Sequence, residues 1–189
     1  MASSRFLTDI VVNNIRVFRG LDYRDVTNFA ELEPGEYRIQ LVPEGQNSPA
    51  VAETTLTFGA GDTFTLALVG LDAAQIVPVR DDLSTNPDRA RLHFFNAVAD
   101  FPDGFDLGVV NGQILFDDID YLENSRYAQL IGGIYDLELK RAGTREKNAF
   151  SRENRFFRDG VYSVFAVGTL RRDDIEMVVV RDDVAATPF

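Results

Sequence analysis

Cysteine and tryptophan are absent from this 189-residue chain, and histidine occurs once, as His93. Without thiols there is no disulfide framework, zinc–thiolate centre or cysteine nucleophile. A single histidine gives a multi-histidine metal site or a Ser-His-Asp triad only one candidate. Basic charge is scarce: 19 Lys and Arg stand against 30 Asp and Glu, for a net charge of −11. Phosphate contacts need clustered Lys or Arg, so this balance argues against nucleic acid as a partner. No apolar run approaches the roughly 20 residues of a transmembrane helix. The start, Met1-Ala2-Ser3-Ser4-Arg5-Phe6, lacks the apolar stretch of a signal peptide, which leaves a cytoplasmic protein or a mature, trimmed chain as the expectations. No glycine-rich phosphate loop is present, because Gly59-Ala60-Gly61 joins two strand-like runs with no lysine after it.

What the chain does contain is an internal repeat at an offset of 98 residues. Val11-Val12-Asn13 recurs as Val109-Val110-Asn111, Gly35-Glu36-Tyr37 as Gly133-Ile134-Tyr135, and Thr63 to Gly70 as Val161 to Gly168. Between 11–41 and 109–139, 11 of 31 pairs are identical. After Gly168 the offset becomes 101, with Arg80-Asp81-Asp82 recurring as Arg181-Asp182-Asp183 and Pro87 as Pro188. Two modules are therefore expected, 1–87 and 88–189, joined by the linker-like Ser84-Thr85-Asn86-Pro87-Asp88-Arg89.

The hydrophobic period within each module is two. Tyr37, Ile39 and Leu41 alternate with Arg38 and Gln40, and Tyr135, Leu137 and Leu139 alternate with Asp136 and Glu138. Such alternation marks half-buried strands. Asn13-Asn14 and Asn111-Gly112 between apolar runs signal hairpin turns. The pattern predicts strands near 5–12, 14–18, 27–32, 36–42, 52–58, 63–69 and 75–80. In the second module it predicts them near 90–97, 105–111, 113–117, 126–131, 134–140, 149–157, 161–168 and 174–181. Leu21 to Asn28 and Ile119 to Arg126 have room for one short helical turn each. The expected fold is all-β: two tandem antiparallel β-sandwich domains of the immunoglobulin or transthyretin kind. The second module opens with Ala90 to Asn96, a strand whose counterpart at the same offset would precede residue 1, so the first module starts one strand late.

The order and spacing of these turns and strands resemble the bacterial domain-of-unknown-function family DUF4397. Its opening strand, loop and Val-Asn-Gly strand end read here as Asn96-Ala97-Val98-Ala99-Asp100-Phe101-Pro102, then Phe105 to Val110, then Asn111-Gly112. Its Pro-Ala-Gly-x-Tyr turn appears as Glu33-Pro34-Gly35-Glu36-Tyr37 and Ile131-Gly132-Gly133-Ile134-Tyr135. Asn96 stands at the family's usual His and Ala99 at its first Pro. The resemblance implies two tandem copies, the first lacking its opening strand, a sandwich fold and an extracytoplasmic setting. It implies no known chemistry.

Acidic pairs recur at turns: Asp81-Asp82, Asp117-Asp118 with Asp120, Asp173-Asp174 and Asp182-Asp183, with Asp100 and Asp103 flanking Pro102. Hard oxygen clusters can hold Ca²⁺, but none has the spacing of a dedicated calcium loop, and solvated turn residues are the favoured reading. His93 in a strand reads as structural. The unusual surface is Lys140 to Arg158, where seven basic residues (Lys140, Arg141, Arg145, Lys147, Arg152, Arg155, Arg158) face two acidic ones and interleave with Phe150, Phe156 and Phe157. Arg and aromatic residues are favoured in interface hot spots. Arg141, Arg145, Lys147, Phe150, Arg152, Arg155 and Arg158 are the candidate partner-binding residues; the bland reading is a solvated hairpin with its Phe side chains turned inward. No catalytic, cofactor or metal residue is assigned. The expectation is a non-enzymatic structural or accessory binding protein. It would dock onto a larger extracytoplasmic assembly, periplasmic or at the cell surface, with a protein partner, self-assembly or peripheral association with a membrane complex. The alternative is a cell-surface adhesin or carbohydrate-binding module, with or without calcium.

Overall fold

The computed structural model describes residues 7–46, 49–70 and 73–183. Residues 5–6 of the first expected strand, and Pro188, lie outside them. Two compact units divide between Asp81 and Asp82, ahead of the join expected at 87–88. Arg91 accounts for the difference. Its guanidinium pairs with Asp82 at 2.7 Å and hydrogen-bonds Ser84, so the linker-like stretch belongs to the second unit.

The first unit contains β1 (Thr8–Val12), β2 (Ile15–Leu21), β3 (Gly35–Pro43), β4 (Ala52–Phe58), β5 (Phe64–Val69) and β6 (Gln75–Arg80). One sheet runs β2-β1-β3-β4 and the other holds β5 and β6. In β4 the alternation is direct: Ala52, Thr54, Leu56 and Phe58 are half-buried, whereas Glu53, Thr55 and Thr57 are exposed. Ile10, Val12, Ile39 and Leu41 of the larger sheet meet Ile76, with Leu56, Phe58 and Leu66 packed around them.

The second unit contains β7 (Arg89–Asn96), β8 (Phe105–Val109), β9 (Ile114–Ile119), β10 (Ala128–Ile131), β11 (Gly133–Arg141), β12 (Lys147–Phe156), β13 (Val161–Val167) and β14 (Glu176–Arg181). The sheets run β10-β7-β13-β14 and β12-β11-β8-β9. All pairings are antiparallel except β7 with β13, which is parallel. Leu92, Phe94 and Val164 of one sheet pack on Phe105, Leu107, Leu137, Leu139 and Phe156 of the other, all nearly or fully buried. Each such side chain contributes about 1.5–3 kcal/mol by leaving water, so this two-layer interior is what holds the β-sandwich.

All eight strands expected in the second unit are present. In the first, 27–32 is not a strand: only Ala30 makes a bridge. The two segments with room for a helical turn form non-helical turns instead. In them Arg24 and Leu122, 98 residues apart, both take left-handed φ, at 71° and 65°. Asp22 N–H donates to the Asp25 carboxylate and Asp120 N–H to that of Glu123, which closes the chain before a helix can begin. Gly70 and Gly168 also take positive φ at matching places. A Cβ on Gly70 would meet the Ala73 carbonyl oxygen at 2.0 Å, and one on Gly168 that of Asp174 at 2.3 Å, so no larger residue fits.

One equivalence differs from the sequence alignment. Val12 pairs with Ile39 in the first unit, whereas Val109 pairs with Leu137 in the second. The two Val-Val-Asn runs are therefore one residue out of step in space. The β8–β9 loop is one residue longer than the Asn13-Asn14 turn, which restores the offset of 98 afterwards.

Candidate functional site

Among the described residues β12 is an edge strand, hydrogen-bonded to β11 alone. Its register against β11 slips between Tyr135 and Leu137, and Glu153 takes a left-handed φ of 53°. Glu153 N–H donates to Asp136 at 2.9 Å, and Asn154 bonds back to the Tyr135 and Ser151 carbonyls. This is a β-bulge, a device that re-aims the side chains on either side of it. Phe156 points into the core, 1% exposed, but Phe150 and Phe157 do not: they are 45% and 49% exposed. The expectation of an inward-turned hairpin therefore holds for one Phe of three. Arg152 lies over Phe150 with 5.2 Å from guanidinium to ring, and Arg155 and Arg181 lie over Phe157 at 6.0 and 5.5 Å. Ile134, opposite Arg155 in register, is exposed as well.

The basic span is less uniformly cationic than its sequence. Lys140 and Lys147 both pair with the buried Glu138, and together they hold its carboxyl below the usual range against the cost of burial. Arg141 pairs with Asp103 at 2.5 Å and lies 3.8 Å from Glu146. Arg145, Arg152, Arg155 and Arg158 are exposed, with no carboxylate at ion-pair distance among the described residues. Arg145 stands at the hairpin tip, and the Arg158 stem lies across Gly132. The structure thus brings Phe150 together with Arg152, and Arg155 with Phe157, and leaves Arg141, Arg145 and Lys147 in separate surroundings.

The acidic turns have partners of their own. Asp100 accepts from the N–H groups of Leu170 and Arg171 at 2.8 and 3.0 Å, at the start of a single 3-10 turn, Leu170–Arg172. Asp174 accepts from Thr169 N–H at 2.7 Å, and Asp183 is held by both nitrogens of the Arg181 fork at 2.7 Å. Among the described residues no three acidic or His side chains converge on a point that could hold a metal ion.

A polar group that sequence reasoning passed over lies inside the second unit. Ser163 of β13 donates to Asp182 at 2.8 Å and faces His93 Nε2 of β7 at 2.5 Å, while His93 Nδ1 faces the Asn124 carboxamide at 2.5 Å. These are the residue types of a hydrolase triad, but Ser163 and His93 are 0% exposed and the hydroxyl proton is directed to Asp182. Burial holds the imidazole below its usual pKa, hence neutral at pH 7. The arrangement ties β7 to β13, to the residue after β14 and to the loop that holds Asn124, and its buried hydroxyl and imidazole offer no approach to a substrate. Thr65 donates to Asp81 at 2.9 Å in the same way in the first unit. The signal was legible as a hydroxyl residue followed by a repeated Arg-Asp-Asp.

Residues 6–103, just over half of the chain, match the family model described as a domain of unknown function, DUF4397; the match runs from β1 through β7 into the following loop. No curated protein matches the chain.

Proposed function

Since the chain belongs to the DUF4397 family, a domain of unknown function, we propose on physical grounds that it is a non-enzymatic accessory protein docking onto a larger extracytoplasmic protein assembly. The reading rests on one observation: the β12 edge displays Phe150, Arg152, Arg155 and Phe157 to solvent as two stacked cation–aromatic pairs. Exposed aromatics beside arginines are costly on a free surface and suited to a desolvated contact. Four uncompensated arginines on a chain of net charge −11 favour a partner with an acidic surface. The corresponding strand of the first unit, β4, carries no basic residue, so docking belongs to the second unit. We also take the second unit as a second copy of the family, supported by left-handed residues repeating 98 apart at Gly20 and Asp118, Gly45 and Gly143, and Gly61 and Asp159.

The test is charge reversal in the intact chain. An R152E/R155E/R158E variant, with unchanged circular dichroism, loses the assembly that the wild-type chain co-purifies with from its source membranes or envelope. Undiminished recovery of that assembly overturns the proposal.

A further inference from the structure

The two units carry opposite chemistry at one equivalent corner. In the second unit Gly133 pairs with Phe156 and Ile134 with Arg155. In the first, 98 residues earlier, Gly35 pairs with Phe58 and Glu36 with Thr57. The strand pairing is the same at both corners, so their side chains compare position by position.

In the second unit the corner is apolar and basic. Ile131, Ile134 and Phe157 are each about half exposed. Arg155 stands opposite Ile134 and lies over Phe157, and the Arg158 stem lies across Gly132, next to Ile131. Exposed apolar side chains grouped within a charged rim mark an interaction site.

In the first unit the same positions are acidic. Glu33 stands at the place of Ile131 and Glu36 at that of Ile134, while Thr57, Gly59 and Ala60 replace Arg155, Phe157 and Arg158. Glu31, Glu33 and Glu36 are exposed, with no cation at ion-pair distance among the described residues. Leu32 and Pro34, exposed as well, alternate with them.

We propose that the occupant of the second unit's corner is the first unit's corner of a second copy of this chain. The inference rests on the reading of β12 as a docking face and names what docks there. Arg155 and Arg158 meet the glutamates of 31–36, and Ile131, Ile134 and Phe157 meet Leu32 and Pro34. Charge complementarity carries the choice: residues 31–36 hold three acidic side chains and no basic one, and residues 155–158 two basic and no acidic. Two first-unit corners repel each other, as do two second-unit corners, so like-with-like pairing is disfavoured. Each copy offers one corner of each kind, which makes the contact heterologous.

The experiment is sedimentation velocity on the full chain over a range of concentrations at low salt, repeated with salt added. The wild-type mass exceeds one chain, rises with concentration and falls as salt screens the contact. R155E/R158E and E31K/E33K/E36K, each with unchanged circular dichroism, associate at least tenfold more weakly. Mixed together they associate again, because the first corner is intact in one and the second in the other. R19E/R172E, the same charge change at exposed sites elsewhere, associates as the wild type does. A chain of single mass at every concentration overturns the proposal, as does association that either corner variant leaves unchanged. Such a failure leaves the docking reading standing as long as R152E/R155E/R158E still loses its co-purified assembly.

Discussion

Asp9 and Asp106 perform the same task in the two units. The Asp9 carboxylate accepts from the N–H groups of Gly20 and Gly45 at 2.8 and 2.9 Å, and that of Asp106 from Asp118 and Gly143 at 2.9 and 3.1 Å. Asp9 sits on β1 and Asp106 on β8, and each carboxylate binds two distant loops. Burial pushes the Asp9 carboxyl up, but Gly45, Gly20 and Arg16 outweigh it and hold it below the usual range.

Replacing either carboxylate orphans two loop N–H groups. Asp106→Ala is expected to cost about 1.5–3 kcal/mol, the range for hydrogen bonds to a charged group, measured by urea denaturation. For Asp9, whose folded pKa is depressed, the contribution is present above the unfolded pKa of about 3.9 and is lost as pH falls through the lower, folded value. The stability gap between wild type and Asp9→Asn should close in acid.

Asp81 titrates in the opposite sense. Burial raises its pKa to about 6, against the bond from Thr65. The folded form holds the proton more tightly than the unfolded chain, so stability is present below about pH 4 and is lost as pH rises through about 6. Asp81→Asn keeps an acceptor for Thr65 and removes the charge. It should stabilise the chain at pH 8 by up to about 3 kcal/mol, two pKa units' worth, and by much less at pH 4. Equal gains at both values would show that the charge is not the cause.

His93 is buried and neutral. With its folded pKa below the unfolded value of about 6.5, protonation favours unfolding, and stability falls as pH drops below about 6.5. His93→Gln should flatten this slope in thermal melts between about pH 6.5 and 5. Ser163→Ala removes the hydroxyl shared by His93 and Asp182 and should cost about 1–3 kcal/mol at pH 7.

Gly70 and Gly168 have no room for a methyl group, since the facing carbonyl oxygens lie at 2.0 and 2.3 Å from a built Cβ. Gly168→Ala adds strain at positive φ to that overlap and is expected to destabilise by more than about 2 kcal/mol. Gly143, also at positive φ but with open space around it, should lose only about 1 kcal/mol on conversion to Ala.

Strand existence was legible because period-two alternation is a direct imprint of one buried face, as in Tyr37-Ile39-Leu41. The strand expected at 27–32 failed because in the second unit β10 is made by pairing with β7, and the first unit has no such strand among its described residues. The Val-Val-Asn alignment was misleading for a related reason. Apolar β-branched runs match one another in several registers, and a one-residue slip in space is resolved by the Asp9 and Asp106 carboxylates, which stand 97 and not 98 residues apart. At β12 the composition pointed to the right span. The bulge at Glu153 shifts the phase of the strand, so that Phe150 and Phe156, an even number of residues apart, lie on opposite faces; it depends on tertiary pairing with Asp136 and left no mark in the alternation.

The docking claim is tested most directly by placing a photo-crosslinking residue at Phe150 or Phe157 in the chain expressed in its source cells, with Thr55 on β4 as the exposed control. Crosslinks from Phe150 and Phe157 to one protein of acidic surface, absent from Thr55, are the predicted result. Equal labelling at all three positions, or none at the β12 pair, would contradict the account.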